Sequence, residues 1–266
     1  MSLFSKKSLG QNFLIDKNII NLITEIGEIN KKISVIEVGP GRGSLTEKIL
    51  EKEPKDFTVI EKDERLVDIL HEKFGSKIKI INKDMMKIEY RDHLKKNLII
   101  FGNLPYNIST QILVKWIKIQ DLDTFCNKLI LMFQKEVADR IIAQPNTKNY
   151  GRLSILSNWR MEIEKIIDIE PRSFNPSPKV RSTLLTFVPK NKFFELNDPK
   201  NLEYITNIFF NQRRKMIKKP MKFLFRNFEE IAKELSIDLN LRPQNLDILT
   251  YFKICKYYEK FNLINY

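Results

Sequence analysis

Short apolar runs alternate with helix-like stretches through the first half of the chain, and this alternation restricts the fold more than any other feature. Each run is five to seven residues long, which suits a strand, and helical patterns follow the first two runs. The runs occupy residues 33–38, 57–61, 78–84, 97–101 and 128–133. Strands separated in this way by helices predict an α/β fold with a parallel, doubly wound sheet.

The last part of the chain has a different pattern. A β-rich run at 182–188 ends at Pro189, and from about residue 191 the pattern is helical. Within it, the segment R-R-K-M-I-K-K at 213–219 carries five positive charges in seven residues. We therefore expect an α/β domain over residues 1–190 and a small all-α domain over residues 191–266.

The charge balance indicates a polyanionic partner. The chain has 46 Lys and Arg against 33 Asp and Glu, a formal net charge of +13, and a surface of that sign attracts nucleic acid or anionic lipid. Codon bias is an alternative explanation, since Lys far outnumbers Arg, and Ile and Asn are also abundant. Its two cysteines, Cys126 and Cys255, lack the spacing of a disulfide framework or a zinc site. No apolar run has the length of a membrane span or of a signal core, so we expect a cytoplasmic protein without a membrane partner.

A glycine-rich loop, E-V-G-P-G-R-G at 37–43, follows the first predicted strand and precedes a helix. Glycines such as Gly39 and Gly41 let the backbone approach a ligand, which the N–H groups of the helix start can then meet. The dinucleotide fingerprint needs a third glycine where this chain has Ser44, which disfavours NAD, and the GK[ST] of a P-loop is absent.

Two acids follow at the ends of the next predicted strands. Glu61 stands about twenty residues after the loop, where a carboxylate can accept hydrogen bonds from both ribose hydroxyls. Asp84 could accept the exocyclic amine of an adenine, with Met85 packing on the ring. Because parallel strands end at one edge of a sheet, these positions predict an adenosyl ligand, and S-adenosylmethionine suits them better than NAD.

Motifs along essentially the whole chain resemble those of the bacterial small-subunit rRNA adenine dimethyltransferases, the KsgA/RsmA family. The matching stretches are L-G-Q-N-F-L at 9–14, E-V-G-P-G-R-G at 37–43, N-L-P-Y at 103–106, Q-K-E-V-A-D-R at 134–140, Y-G-R-L-S at 150–154, F-N-P-S-P-K-V-R-S at 174–182 and R-R-K at 213–215. This resemblance implies a Rossmann-like class I S-adenosylmethionine-dependent methyltransferase fold with a small C-terminal all-α domain.

The resemblance also implies a role for individual residues. Asn12 and Leu14 would lie against the methionine part of S-adenosylmethionine. The other cofactor positions would be Gly39 at the loop, Glu61 at the ribose, Asp84 at the adenine, and Asn103 beside the cofactor at the reaction centre. Gly41 is added to the cofactor residues because it belongs to the glycine loop.

The N-L-P-Y segment can be interpreted chemically. The N6 amine of adenine is a poor nucleophile because its lone pair is delocalised into the ring, so the enzyme must act mainly on the amine. If the Asn103 side-chain oxygen and the Leu104 carbonyl accept its N–H bonds, the nitrogen can aim its lone pair at the methyl group. Pro105 would fix the backbone, and Tyr106 would stack on the flipped base. Phe174 is the predicted second stacking surface.

The RNA partner is assigned through the same resemblance. Lys179 and Arg181 could hold the RNA backbone next to the target base, and Arg213, Arg214 and Lys215 could contact phosphates of the small ribosomal subunit. We expect a monomeric enzyme that dimethylates two adjacent adenosines in the 3′-terminal hairpin of 16S rRNA, with a role in subunit assembly.

Two alternatives stay open at this point. An Erm-type methyltransferase would modify large-subunit rRNA, and the L-G-Q-N-F start and the R-R-K segment disfavour that reading. A non-catalytic relative, such as the mitochondrial transcription factors of this fold, would bind RNA without transferring a methyl group. The intact N-L-P-Y and the full set of acids disfavour that second alternative.

Overall fold

The computed structural model describes residues 11–88, 98–119 and 121–264. Leu9 and Gly10 of the first matching motif, and Asn97 at the start of a predicted strand, lie outside these ranges. In the described ranges, the strands are β1 Phe13–Leu14, β2 Ser34–Val38, β3 Asp56–Glu61, β4 Lys79–Asn82, β5 Leu98–Gly102, β6 Cys126–Gln134, β7 Met161–Ile169, β8 Phe174–Asn175 and β9 Ser182–Pro189.

Helices lie between consecutive strands from β1 to β4 and again between β5 and β6, as the alternation of the sequence predicts. The helices in the described ranges are α1 Lys17–Ile26, α2 Ser44–Leu50, α3 Glu64–Phe74, α4 Ser109–Ile117, α5 Leu122–Phe125, α6 Lys135–Ile141, α7 Arg152–Arg160, α8 Pro199–Phe210, α9 Lys218–Leu224, α10 Phe228–Glu234 and α11 Ile248–Ile264. None of these helices is long and apolar enough to cross a lipid bilayer.

The main sheet of the described residues has the strand order β4-β3-β2-β5-β6-β9-β7. Neighbouring strands from β4 to β6 are parallel, and β9 is antiparallel to β6. The chain moves outward in one direction from β2 to β4 and in the other from β5, so the order reverses between β2 and β5. In a doubly wound sheet, ligands bind beyond the carboxyl ends of the strands at such a reversal.

The central strands are apolar because both of their faces are covered. Every residue of β2 and β5 is buried, including Ile99 and Phe101 of β5. Buried, largely apolar runs of this kind are typical of parallel strands with helices on both sides of the sheet. The predicted parallel sheet is therefore confirmed, and its core fixes the ends of β2 and β5 relative to each other.

The short strands β1 and β8 form a separate antiparallel pair, which the sequence analysis did not predict. Leu14 pairs with Phe174, and both side chains belong to the buried core cluster that also contains Phe101 and Met132. Burial of these two side chains removes apolar surface from water on both strands. The pair thereby fixes the segment that includes Asn12.

By its internal contacts the chain divides into two compact units. One contains the described parts of residues 1–138 together with 162–189, and the other contains 139–161 and the described part of 190–266. In the second unit Trp159 Nε1 donates to the Phe194 carbonyl over 2.7 Å, and Phe209 packs edge-on against Tyr251. The described residues from 199 onwards contain helices and no strand, while 139–161 group with them although they precede the expected boundary at residue 190.

Candidate cofactor and acceptor site

A cavity of about 190 Å³ lies where β2, β3, β4 and β5 end. It is the place where the strand order predicts a ligand. Eight residues that the sequence analysis assigned to the cofactor or the acceptor base line this cavity together: Asn12, Gly39, Gly41, Glu61, Asp84, Asn103, Leu104 and Tyr106.

The glycine turn after β2 allows other segments to approach closely. Gly41 has φ +59°, and a Cβ atom placed on it would lie 2.6 Å from Cδ1 of Phe13. Gly39 has φ +70°, and its Cβ would lie 3.1 Å from the Asn103 carbonyl oxygen. Side chains at these positions would be strained as well as crowded, so glycine is required for the N-terminal segment and the loop after β5 to line one cavity.

Glu61 is held by the backbone that follows it. Its Oε1 accepts hydrogen bonds from the N–H groups of Lys62 at 2.8 Å and Asp63 at 2.9 Å, and the residue is 7% exposed. Burial raises the pKa of Glu61, while the N–H groups of Asp63, Lys62 and Gly41 favour its ionised form. The carboxyl group is therefore fixed at the cavity wall as an acceptor.

A second carboxyl group, that of Glu37, lies buried close to Glu61. Burial raises the pKa of Glu37 to about 8, and the nearby Glu61 adds to this effect. The Thr46 hydroxyl donates to Glu37 Oε2 over 2.6 Å and opposes it. At neutral pH the Glu37 carboxyl group is therefore mainly protonated.

Asp84 is paired across the cavity wall. Lys62 Nζ donates to Asp84 Oδ2 over 2.8 Å, and the Met86 N–H donates to Oδ1 over 2.9 Å. The hydrogen bond from Lys62 is the main reason that the pKa of Asp84 lies below its usual range. The expectation for the neighbouring methionine was wrong by one residue: Met86 lines the cavity, whereas Met85 is buried at the start of a short 3₁₀ turn.

The loop after β5 carries the predicted acceptor group. Asn103 Nδ2 donates to the Asn12 carbonyl over 2.8 Å. Because a carbonyl can only accept, this contact assigns the nitrogen of the amide to Asn12 and leaves the oxygen Oδ1 as the acceptor. The Pro105 carbonyl accepts from the N–H of Ser109 over 3.0 Å, which joins the loop to the start of α4.

Two of the predicted site residues, Phe174 and Leu14, do not line this cavity. Phe174 is 3% exposed and belongs to the core cluster, and it is not part of the cavity wall. Its pairing with Leu14 gives it a packing function, so its predicted stacking on a base is not supported by this arrangement. Leu14 is also buried, and it lines a small adjoining cavity together with Gly39 and Asn103.

The predicted RNA-contacting residues differ in what they do. Lys179 and Arg181 are exposed, and Arg181 Nε lies 2.9 Å from Glu170 Oε1. Arg214 and Lys215 are exposed and lie in the turn between α8 and α9, not in a helix as the pattern suggested.

Arg213 has a structural function within the second unit. Its Nε donates to Gln244 Oε1 over 3.1 Å, and its Nη2 donates to the carbonyls of Thr147 and Lys148. A guanidinium group that holds two carbonyls and an amide oxygen is largely occupied by these contacts. The structure therefore does not present Arg213 as an open phosphate ligand, contrary to the prediction.

Several residues of the cavity wall were not predicted from the sequence: Gln11, Phe13, Lys62, Leu66, Met86, Asn107 and Ile108. Gln11 Nε2 donates to Asp63 Oδ2 over 2.9 Å, and Asp63 also receives two hydrogen bonds from the Arg65 guanidinium. The run E-K-D-E-R at 61–65 could have indicated that charged residues after Glu61 contribute to the site. Charged residues directly after a buried strand lie at the ligand edge of the sheet.

The doubly wound sheet, the glycine turn and the acids at consecutive strand ends are those of the class I methyltransferase fold. The chain is similar in structure to a dimethyladenosine transferase from Plasmodium falciparum, with a TM-score of 0.78 and 24% identity over 93% of this chain and 98% of the other. It is also similar to the 23S rRNA methyltransferase ErmE, with a TM-score of 0.69 and 23% identity over 93% and 100%. These similarities confirm the predicted fold.

The family model described as Ribosomal RNA adenine dimethylase matches residues 3–260. The chain is 56% identical to Ribosomal RNA small subunit methyltransferase A of Pelagibacter ubique, over 96% of this chain and 97% of the relative. It is 43% identical to the protein of that name from Ehrlichia ruminantium, over 94% and 95%. The chain therefore belongs to the ribosomal RNA adenine dimethylase family, which confirms the resemblance and implies S-adenosylmethionine as the methyl donor.

The buried carboxyl group of Glu37 predicts a specific dependence of stability on pH. A group whose pKa is higher in the fold than in the unfolded chain stabilises the fold below its unfolded pKa, and this stabilisation is lost as pH rises through the folded pKa. As the pH rises from about 4.5 to 8, the unfolding free energy of the Glu37→Gln variant should fall less than that of the wild type. The difference should be on the order of 2 to 5 kcal/mol.

Urea unfolding at several pH values measures this difference. The matched control is Glu47→Gln, because Glu47 is an exposed residue of α2. A plot of its unfolding free energy against pH should run parallel to that of the wild type. Parallel curves for Glu37→Gln and the wild type would show that Glu37 is ionised in the fold and contradict the prediction.

Proposed function

We propose that this protein transfers methyl groups from S-adenosylmethionine to N6 of two adjacent adenosines in the 3′-terminal hairpin of 16S rRNA, within a small-subunit particle. The observation that carries the proposal is the Asn103 amide. Its nitrogen is occupied by the Asn12 carbonyl, and its oxygen remains an acceptor in a cavity that also contains Glu61 and Asp84.

The cavity wall suits an adenosyl group. Glu61 offers a fixed carboxyl group for two ribose hydroxyls, and Asp84 offers an acceptor for the adenine amine. Gly39 and Gly41 leave room where any Cβ atom would meet Asn103 or Phe13. When bound, S-adenosylmethionine supplies a methyl group made electrophilic by its positively charged sulfur. We assign Asn12 to the methionine end of this site.

The acceptor base would be held by the loop after β5. Asn103 Oδ1 and the Leu104 carbonyl accept the two N–H bonds of the N6 amine, and this orients the nitrogen lone pair towards the methyl group. Tyr106 stacks on the base, which has been extruded from the RNA. The residues here act by orientation and electrostatics, because the amine proton becomes acidic only as the new N–C bond forms.

The small subunit is favoured as the substrate by the names of the relatives that are 56% and 43% identical to this chain. The structural similarity to ErmE supports large-subunit rRNA as a second candidate, since the two folds match over nearly their full lengths. The net charge of +13 suits either RNA. We further propose a cytoplasmic monomer with an additional role in subunit assembly, as the family resemblance implies.

A transfer assay separates the two substrates. The protein is incubated with labelled S-adenosylmethionine and either unmethylated small subunits or naked large-subunit rRNA. We expect label in small-subunit rRNA, located at N6 of adenosines in the 3′-terminal hairpin. Label found only in large-subunit rRNA would contradict the substrate assignment, and an absence of transfer to both would support a non-catalytic protein.

The Asn103→Ala variant tests the acceptor loop. The substitution removes the acceptor oxygen for the reacting nitrogen together with the hydrogen bond to the Asn12 carbonyl, so the rate of transfer should fall by about 100-fold or more. Binding of S-adenosylhomocysteine should remain measurable by calorimetry. Unchanged turnover would refute the role of the amide, and complete loss of binding would show that Asn103 acts through the cofactor site.

The exposed turn between α8 and α9 should contribute to RNA affinity. For the Arg214→Ala/Lys215→Ala variant, a plot of log affinity for the small subunit against log salt concentration should have a shallower negative slope. Its magnitude should be smaller by about 1 to 2, since each lost phosphate contact contributes about 0.7 to 0.9. The matched control, Lys233→Ala/Lys253→Ala, removes the same charge from exposed positions of α10 and α11. An equal change in both variants would indicate non-specific attraction and no contact at the turn.

A further inference from the structure

The loop after β5 is attached by a second polar contact that no assigned role explains. The Tyr106 hydroxyl lies 2.6 Å from Ser182 Oγ, and the two residues are 76 positions apart in the chain. A separation of 2.6 Å is near the short end for a hydrogen bond between hydroxyls. The contact therefore links the Tyr106 ring, which lines the cavity, to the start of β9.

Ser182 belongs to a rigid part of the sheet. It is the first residue of β9, opposite Gln134 of β6, and it is fully buried. The carbonyl of the preceding Arg181 accepts the Lys135 N–H over 2.9 Å. The hydroxyl group of Ser182 is consequently positioned by the backbone of two paired strands.

The backbone of Tyr106 is held as well, so its ring has few remaining freedoms. Ser109 Oγ donates to the Tyr106 carbonyl over 3.2 Å. The ring is half-buried and lines the cavity, and burial raises the pKa of its hydroxyl, which keeps the proton on it. The remaining freedom of the ring is rotation about the side-chain bonds, and the hydrogen bond of the Tyr106 hydroxyl to Ser182 restricts that rotation.

We propose that Ser182 is a positioning residue of the transfer reaction, which holds the Tyr106 ring in the orientation that stacks on the target adenine. The proposal rests on the proposed function, since it needs a base in the cavity. Ser182 acts through Tyr106 and is itself too deeply buried to meet the substrate. A misoriented ring would still allow RNA to bind but would leave the amine off the line of attack, so kcat should fall more than KM rises.

A double-mutant cycle tests this coupling. Ser182→Ala and Tyr106→Phe each delete one hydroxyl, and each should lower kcat/KM for the small subunit by about 3- to 10-fold, the range of one hydrogen bond. The double variant should lose no more than either single variant, because both remove the same contact. The affinity for S-adenosylhomocysteine should stay unchanged in all three.

Ser157→Ala is the matched control. Ser157 is fully buried, and its Oγ has no hydrogen-bond partner among the described residues, so the substitution deletes the same atom without breaking a contact. It should leave kcat/KM at the wild-type value.

Amide hydrogen exchange gives a measurement that does not depend on the substrate. Ser182→Ala should increase exchange between Tyr106 and Ser109, and Ser157→Ala should not. Wild-type kcat/KM in Ser182→Ala, or losses that multiply in the double variant, would overturn the proposal. If the wild type transfers methyl groups only to large-subunit rRNA, the proposed substrate is wrong, while the same cycle on that RNA still decides the role of Ser182.

Discussion

The hydrogen bond from Asn103 to the Asn12 carbonyl joins two segments that are 91 residues apart, and the candidate site depends on it. Glycine at positions 39 and 41 leaves room for these segments, because a Cβ atom there would meet Asn103 or Phe13. The β1–β8 pair then holds the N-terminal segment in place through buried Leu14. Backbone conformation, core packing and one amide hydrogen bond thus act together to orient an oxygen atom.

Burial and pairing set the ionisation of the carboxyl groups near Asn103. Burial raises the pKa of Glu37, and the nearby Glu61 adds to this effect, while burial also raises the pKa of Glu61 against the backbone N–H groups that favour its ionised form. Asp84 is kept ionised by Lys62, which spans the ends of β3 and β4. The site therefore presents one carboxyl group fixed by backbone N–H groups and a second fixed by a lysine, both suited to accept hydrogen bonds.

The fold and the ligand edge were predictable from the sequence, because parallel strands ending at one edge bring Glu61 and Asp84 together whatever their distance along the chain. The two-residue strands β1 and β8 have no periodic signal, and β7 alternates apolar and charged residues too irregularly to stand out. The function of Arg213 could not be predicted, since it depends on carbonyls more than sixty residues away. In such cases tertiary contacts decide the role of a residue, and local pattern does not.

The burial of Phe174 changes how a base would be held. With that ring packed against Leu14 in the core, Tyr106 is the aromatic side chain in the wall of the cavity that is placed on the acceptor loop. A base stacked on one ring instead of two has one fewer surface to define its plane, so its orientation depends more on how firmly that ring is fixed. The hydroxyl contact to Ser182 meets this requirement from a buried strand. In the proposed reaction, the stacking surface and the acceptor oxygen would be held by separate parts of the fold, Tyr106 by β9 and Asn103 by the N-terminal segment.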